Sequence, residues 1–139
     1  MILRRDPLRI VPTVFGAMTG LTVAAFDTHM RRLLHNMLGA TGVVIGGGVL
    51  IGDHVTLCPG CILGHESSIG DYSILAPGAV ISGLVRLDPV CYVGATAVIR
   101  QKLRIGTRSL IGMGAVVVRD VEPGATLIGN PARPLRRAI

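Results

Sequence analysis

At 139 residues the chain has the length of one domain. Half of it is hydrophobic and only 3% aromatic, which argues against a Trp-rich core and against stacking platforms for nucleic-acid bases. The net charge of +6 comes from 13 Arg and one Lys with no recognition helix, so a small polyanion such as a nucleotide suits it better than nucleic acid.

Residues 1–32 follow no repeat. Val14 to Phe26 is apolar, but it is too short and too interrupted by Gly16 and Gly20 to span a membrane. No typical cleavage region follows it, so a signal peptide is not expected. Phe26 to Leu38 could form a helix, with Asp27 or Thr28 as N-cap and Gly39 as its stop. Leu33 and Gly39 also fall in phase with the later repeat, so a degenerate first coil stays open. Either way residues 1–40 read as a short irregular or helical cap over one end of a solenoid.

From Ile45 to Val117 an aliphatic residue stands at every sixth position, thirteen times in succession. A helix repeats near 3.6 residues and a strand near 2, so a period of six predicts an all-β fold, the hexapeptide-repeat parallel β-helix. Four residues after each beat the side chain is small or medium, as at Cys61, Ser67, Ser73 and Ala79. Alternate strand residues face opposite ways, so both positions point into a narrow interior. Glycine is common one residue after the beat (Gly46, Gly52, Gly64, Gly70, Gly94, Gly106, Gly112), where it is expected to supply positive φ at the bends. Three hexads make an 18-residue coil of a three-sided prism. The β-helix is placed at 41–121 and a C-terminal extension at 122–139.

Cys58-Pro-Gly-Cys61 has the spacing of a redox or zinc half-site. In this register Cys61 points inward and Cys58 outward, so free structural thiols and a cytoplasmic protein are expected. Arg86 and Arg104 lie one coil apart and should stand on the same edge, one above the other.

His65 occupies a bend, follows Gly64 and precedes Glu66. Counting by 18 puts Gly47 below it and Gly83 above, which leaves room beside the imidazole. A histidine next to a carboxylate can act as a general base. On these residues alone, a plain solvated histidine stays open too.

The stretches Gly64-His65-Glu66-Ser67-Ser68-Ile69-Gly70-Asp71-Tyr72 and Ala76-Pro77-Gly78-Ala79-Val80-Ile81-Ser82-Gly83 resemble the left-handed β-helix acetyltransferases. The nearest branch is the NeuD/PglD-like sugar O- and N-acetyltransferases. The ending Gly129-Asn130-Pro131-Ala132-Arg133-Pro134 resembles the same group, and the similarity covers about residues 43–137. The resemblance implies left-handed coiling, acetyl-CoA as co-substrate and no metal. It implies His65 as catalytic base, Glu66 as the acid that orients it, and Gly83 as an active-site glycine whose N–H could serve the oxyanion. Ala95 and Met113 match positions lining the acetyl-CoA groove, with Gly112 and Gly114 keeping backbone open beside them and Arg133 as a further contact. Ile74 stands where the branch often has a second histidine against the acetyl carbonyl. The branch usually has a nucleotide-binding N-terminal domain as well, and no glycine-rich fingerprint of one occurs here.

The His65 corner and the Ala95/Met113 corner are separated by one prism face, roughly 17 Å at strand rise. They can meet only between chains, which matches the homotrimer that the family implies. The expected function is acetyl transfer to a small sugar, amino sugar or similar acceptor, with no nucleic-acid or membrane partner. A non-catalytic trimeric protein that binds CoA or acts as a scaffold is the alternative. A zinc enzyme of the γ-carbonic anhydrase type would need three converging histidines, and beyond His65 the repeat offers only His54.

Overall fold

The computed structural model describes residues 42–135. The cap expected over residues 1–40, with its 26–38 helix, lies outside the described residues, as do Arg136 and Arg137. Short strands follow one another at every hexad: β1 (Val44–Ile45), β2 (Leu50–Ile51), β3 (Thr56–Leu57), β4 (Ile62–Leu63), β5 (Ser68–Ile69), β6 (Ile74–Leu75), β7 (Val80–Ile81), β8 (Arg86–Leu87), β9 (Tyr92–Val93), β10 (Val98–Ile99), β11 (Arg104–Ile105), β12 (Leu110–Ile111), β13 (Val116–Val117), β14 (Thr126–Ile128) and β15 (Arg133–Pro134). Up to β13 every third strand joins the same parallel sheet. The orders are β1-β4-β7-β10-β13, β2-β5-β8-β11 and β3-β6-β9-β12-β14-β15. The register steps by one coil, as in Val44 opposite Ile62 and Val98 opposite Val116 (62 − 44 = 116 − 98 = 18). The expected all-β prism is the fold that forms.

From β2 to β13 the second residue of each strand is the aliphatic beat, and it faces the axis. Leu63, Leu75, Ile81, Leu87, Ile99, Ile105 and Ile111 are fully buried. Val49, Cys61 and Ala79 fill the smaller inward positions between them. Three serines share that row, and each buried hydroxyl is satisfied by backbone. Ser67 donates to the Gly64 carbonyl at 2.7 Å and Ser109 to the Gly106 carbonyl at 2.6 Å, while Ser73 accepts from the Cys91 N–H at 3.2 Å.

The glycines after the beat do not play the part expected of them. Positive φ falls two residues later, at the second residue of each corner, and is mostly carried by ordinary side chains such as His54, Glu66, Leu84 and Val90. The glycines are required by close approach instead. A Cβ on Gly64 would lie 2.4 Å from the Gly83 nitrogen, and one on Gly70 would lie 2.4 Å from the Pro89 nitrogen. The backbone of the next coil crosses directly over these positions.

Backbone hydrogen bonds also climb the corners, so the three edges of the prism are stacked columns. Glu66 donates to Gly47, Leu84 to His65 and Lys102 to Gly83 along one edge. Tyr72 donates to Asp53 and Val90 to Asp71 along the second; Gly78 donates to Pro59, Thr96 to Pro77 and Gly114 to Ala95 along the third. The first strand residue points outward and gives each face its chemistry. The face between the Met113 edge and the His65 edge carries Val44, Ile62, Val80, Val98 and Val116. The next carries Leu50, Ser68, Arg86 and Arg104. The last carries Thr56, Ile74, Tyr92 and Leu110.

The top coil is short. β14 pairs with β12 as Leu110 opposite Thr126 (126 − 110 = 16), two residues fewer than a full turn. The Asp120 carboxylate accepts from the Arg104 N–H at 2.9 Å, where a complete coil would have offered a carbonyl. β15 then returns antiparallel on β14.

All three cysteines are free, with Cys61 and Cys91 buried and Cys58 partly exposed. Burial raises the Cys61 and Cys91 thiol pKa values, so less thiolate is present at any given pH. At pH 8 a thiol-exchange reagent is therefore expected to titrate Cys58 promptly and the other two only on unfolding. Fast loss of three thiols from folded protein would contradict this. Gly70→Ala is expected to destabilise the prism by about 1–3 kcal/mol through backbone overpacking. Urea unfolding at fixed protein concentration is the measurement, and an unchanged midpoint would argue against the close approach.

Candidate active site

The His65 edge is built from glycine around one acid–base pair. Gly46, Gly47 and Gly48 lie below His65 and Glu66; a Cβ on Gly48 would touch Glu66 Cγ at 3.2 Å. Above, Gly83 presents its bare Cα to the imidazole, where a Cβ would sit 2.5 Å from Nε2. His65 Nδ1 lies 3.3 Å from Glu66 Oε2, and both side chains are about two-thirds exposed (64% and 65%). With the proton on Nδ1 directed at the carboxylate, Nε2 is left as the lone-pair nitrogen. It faces Gly83, whose N–H has no hydrogen-bond acceptor among the described residues. Three of the residues singled out from sequence, His65, Glu66 and Gly83, therefore meet on one edge.

A second group gathers on another edge. Met113 stacks over Ala95 and is 81% exposed. Gly114 has a φ of +66° with open space where a Cβ would be, and a Cβ on Gly112 would press on Ile128 Cγ2 at 2.9 Å. Ile74 projects from the outer face beside this edge. Arg133 sits at the crown, where its Nη1 donates to the Ala132 carbonyl at 3.3 Å. It borders a cavity of about 350 Å³ lined by Val117, Val121, Leu127 and Ala132 among others. The chain does not bring this group to His65. A whole prism face lies between them.

Arg86 and Arg104 do stand one above the other, but on a face and not at an edge. Sequence reasoning missed their partner. The side chain of Asp88 is only 10% exposed, against 69% for Arg86 and 63% for Arg104. It accepts from Arg86 Nε at 3.2 Å and from Arg104 Nε and Nη2 at 3.0 and 2.9 Å. The available signal was an aspartate in the place after the beat that glycine often holds. His54 and Tyr72 stack at the remaining edge, with ring centroids 5.0 Å apart. Among the described residues no three His, Cys, Asp or Glu side chains converge to hold a metal ion, and no helix is long and apolar enough to cross a membrane.

Residues 48–83 match the family model described as bacterial transferase hexapeptide (six repeats). No curated protein sequence matches the chain. Many solved structures are similar to it, among them the following three. WeeI from Acinetobacter baumannii AYE is 31% identical over 77% of this chain and 64% of its own, with a TM-score of 0.54. The acetyltransferase domain of PglB from Neisseria gonorrhoeae FA1090, in complex with acetyl coenzyme A, is 29% identical over 68% and 52%, with a TM-score of 0.52. Serine acetyltransferase from Neisseria gonorrhoeae is 31% identical over 70% and 40%, with a TM-score of 0.53. The chain thus spans less than two-thirds of the length of each. Repeat, coil register and structural likeness together give the chain the fold of a left-handed β-helix of the hexapeptide-repeat type.

Proposed function

We propose that the protein is an acetyl-CoA-dependent O- or N-acetyltransferase acting on a small sugar, amino sugar or similar acceptor. The observation that carries this is the His65–Glu66 pair set against the bare Cα of Gly83. Likeness to a PglB domain in complex with acetyl coenzyme A supports it.

In this reading Glu66 holds the Nδ1 proton, and His65 Nε2 takes the proton from the acceptor hydroxyl or amine as it attacks the thioester carbonyl carbon. The Gly83 N–H stabilises the oxygen that gains charge; one such donor is worth about 3–4 kcal/mol. Breaking of the carbon–sulfur bond releases CoA thiolate, which takes the proton back from the imidazolium. Ile74 offers no hydrogen bond to the carbonyl, which places that task on backbone. The same Ile74 favours the second reading, a trimeric protein that binds CoA or serves as a scaffold without turnover.

The faces support a trimer. The aliphatic row Val44, Ile62, Val80, Val98 and Val116 lies between the His65 edge and the Met113 edge. Three chains that bury this row around one axis set the His65 edge of one against the Ala95/Met113 edge of its neighbour. Ala95, Gly112, Met113 and Gly114 then line the acetyl-CoA cleft from the second chain, with Arg133 at its upper end.

Two measurements test these assignments. Thiol release from acetyl-CoA, followed with a panel of amino sugars, is expected to depend on acceptor. It should fall about 10²–10⁴-fold in His65→Ala and be lost in Gly83→Ala, whose new methyl displaces the imidazole. Equal background release in wild type and His65→Ala supports the scaffold. In sedimentation, wild type is expected as a trimer and Val98→Glu as a folded monomer without transfer. A fully active monomer would overturn the shared cleft.

A further inference from the structure

The geometry points to a clamp for an anionic group of the acceptor, formed by Arg86 and Arg104 on the face that follows the His65 edge. This deepens the acetyl-transfer reading and rests on it. The clamp is held from below: the largely buried Asp88 carboxylate takes the Nε–H of Arg86 and two N–H groups of Arg104. A guanidinium has five N–H groups. Arg86 therefore keeps four and Arg104 three, on two forks that are both mostly exposed, while the nearby Asp120 carboxylate accepts from the Arg104 backbone N–H and leaves its guanidinium free of that contact. Planar forks of this kind pair with carboxylate and phosphate oxygens. Asp88 fixes their direction while taking only one terminal N–H, from Arg104 Nη2, and none from the Nη groups of Arg86.

Location selects the ligand. Ser68, Arg86 and Arg104 form one outward register column. It begins three residues past His65, on the order of 10 Å along the strand, and each coil adds about 4.8 Å. The outward columns of the other two faces are apolar apart from Thr56 and the Tyr92 hydroxyl, and among the described residues neither carries a cation from β1 to β13. The acetyl donor is assigned to the neighbouring chain's Ala95/Met113 edge, which meets His65 from the side of the valine face. The acceptor is left the opposite side of the imidazole, and that side is the arginine face. Its class is a small polyol or amine carrying a carboxylate or phosphate, with its nucleophile at Nε2 and its anion on the clamp. Arg86 and Arg104 are then specificity-determining residues and Asp88 a positioning residue.

The experiment uses full-length protein with glucuronate and glucose 1-phosphate as anionic probes and glucose as the neutral one. Calorimetric binding without acetyl-CoA is expected for the anionic probes over glucose. It should weaken about tenfold or more in Arg86→Met, as expected for charge-assisted hydrogen bonds. The triple variant Arg86→Met/Asp88→Asn/Arg104→Met leaves no buried charge unpaired and is expected to lose that preference, with circular dichroism confirming the fold. In turnover, kcat/KM for the anionic over the neutral acceptor should fall by the same factor in both variants. Anion binding that is lost in both variants upholds the clamp even if wild type and His65→Ala show the same background thiol release. Absence of anion preference in wild type, or a larger rise in KM for acetyl-CoA than for the acceptor, overturns the clamp and leaves acetyl transfer standing.

Discussion

The parallel hydrogen-bond ladder sets adjacent coils about 4.8 Å apart, and the rest of the prism follows from that spacing. Backbone stacks on backbone at every strand and at every corner. Positions where the next coil crosses directly overhead have little room for a Cβ, so Gly46, Gly64, Gly70, Gly94 and Gly106 are fixed by contact with peptide atoms. The same spacing confines the interior to one large and one small side chain per hexad. It also explains why serine can sit beside Leu and Ile in the core: a carbonyl of the same or the next coil is always within reach.

The columnar arrangement separates what varies from what cannot. Strand interiors and post-beat glycines answer to packing, whereas corner residues answer only to a backbone angle. That angle is positive at the second corner residue, yet Glu66, Leu84 and Lys102 accept it. Their cost, about 1–2 kcal/mol each in the left-handed region, is met by the ladder on both sides. Chemistry can therefore be placed at the corners without altering the coil. The His65–Glu66 pair illustrates this: Gly47 and Gly48 lie below it and Gly83 above His65, with Leu84 above Glu66.

The period of six gave a direct reading of the strands, the inward row and the columns, because spacing in a ladder fixes Cα positions. Gly83 over His65 and Met113 over Ala95 could be counted without coordinates. Counting cannot say how far a side chain reaches, and that is why the Arg86–Asp88–Arg104 group and the His54–Tyr72 stack escaped it. The role of the post-beat glycines was misjudged for a related reason. A glycine that relieves a clash and one that permits positive φ look alike in a sequence. The coil shortened to sixteen residues lay beyond a strict hexad count, although Leu127 still reaches the core.

The shortened coil has a meaning for the molecule in a crowded solution. A parallel β-helix that stopped after a full turn would present a raw sheet edge, ready to accept another prism end to end. Here Asp120 occupies one open N–H, and a two-residue antiparallel strand, Arg133–Pro134, closes another side. Proline has no N–H to offer and arginine carries charge, so the strand that ends the sheet is a poor template for a further one. The upper end of the prism is in this way protected against fibre-like growth.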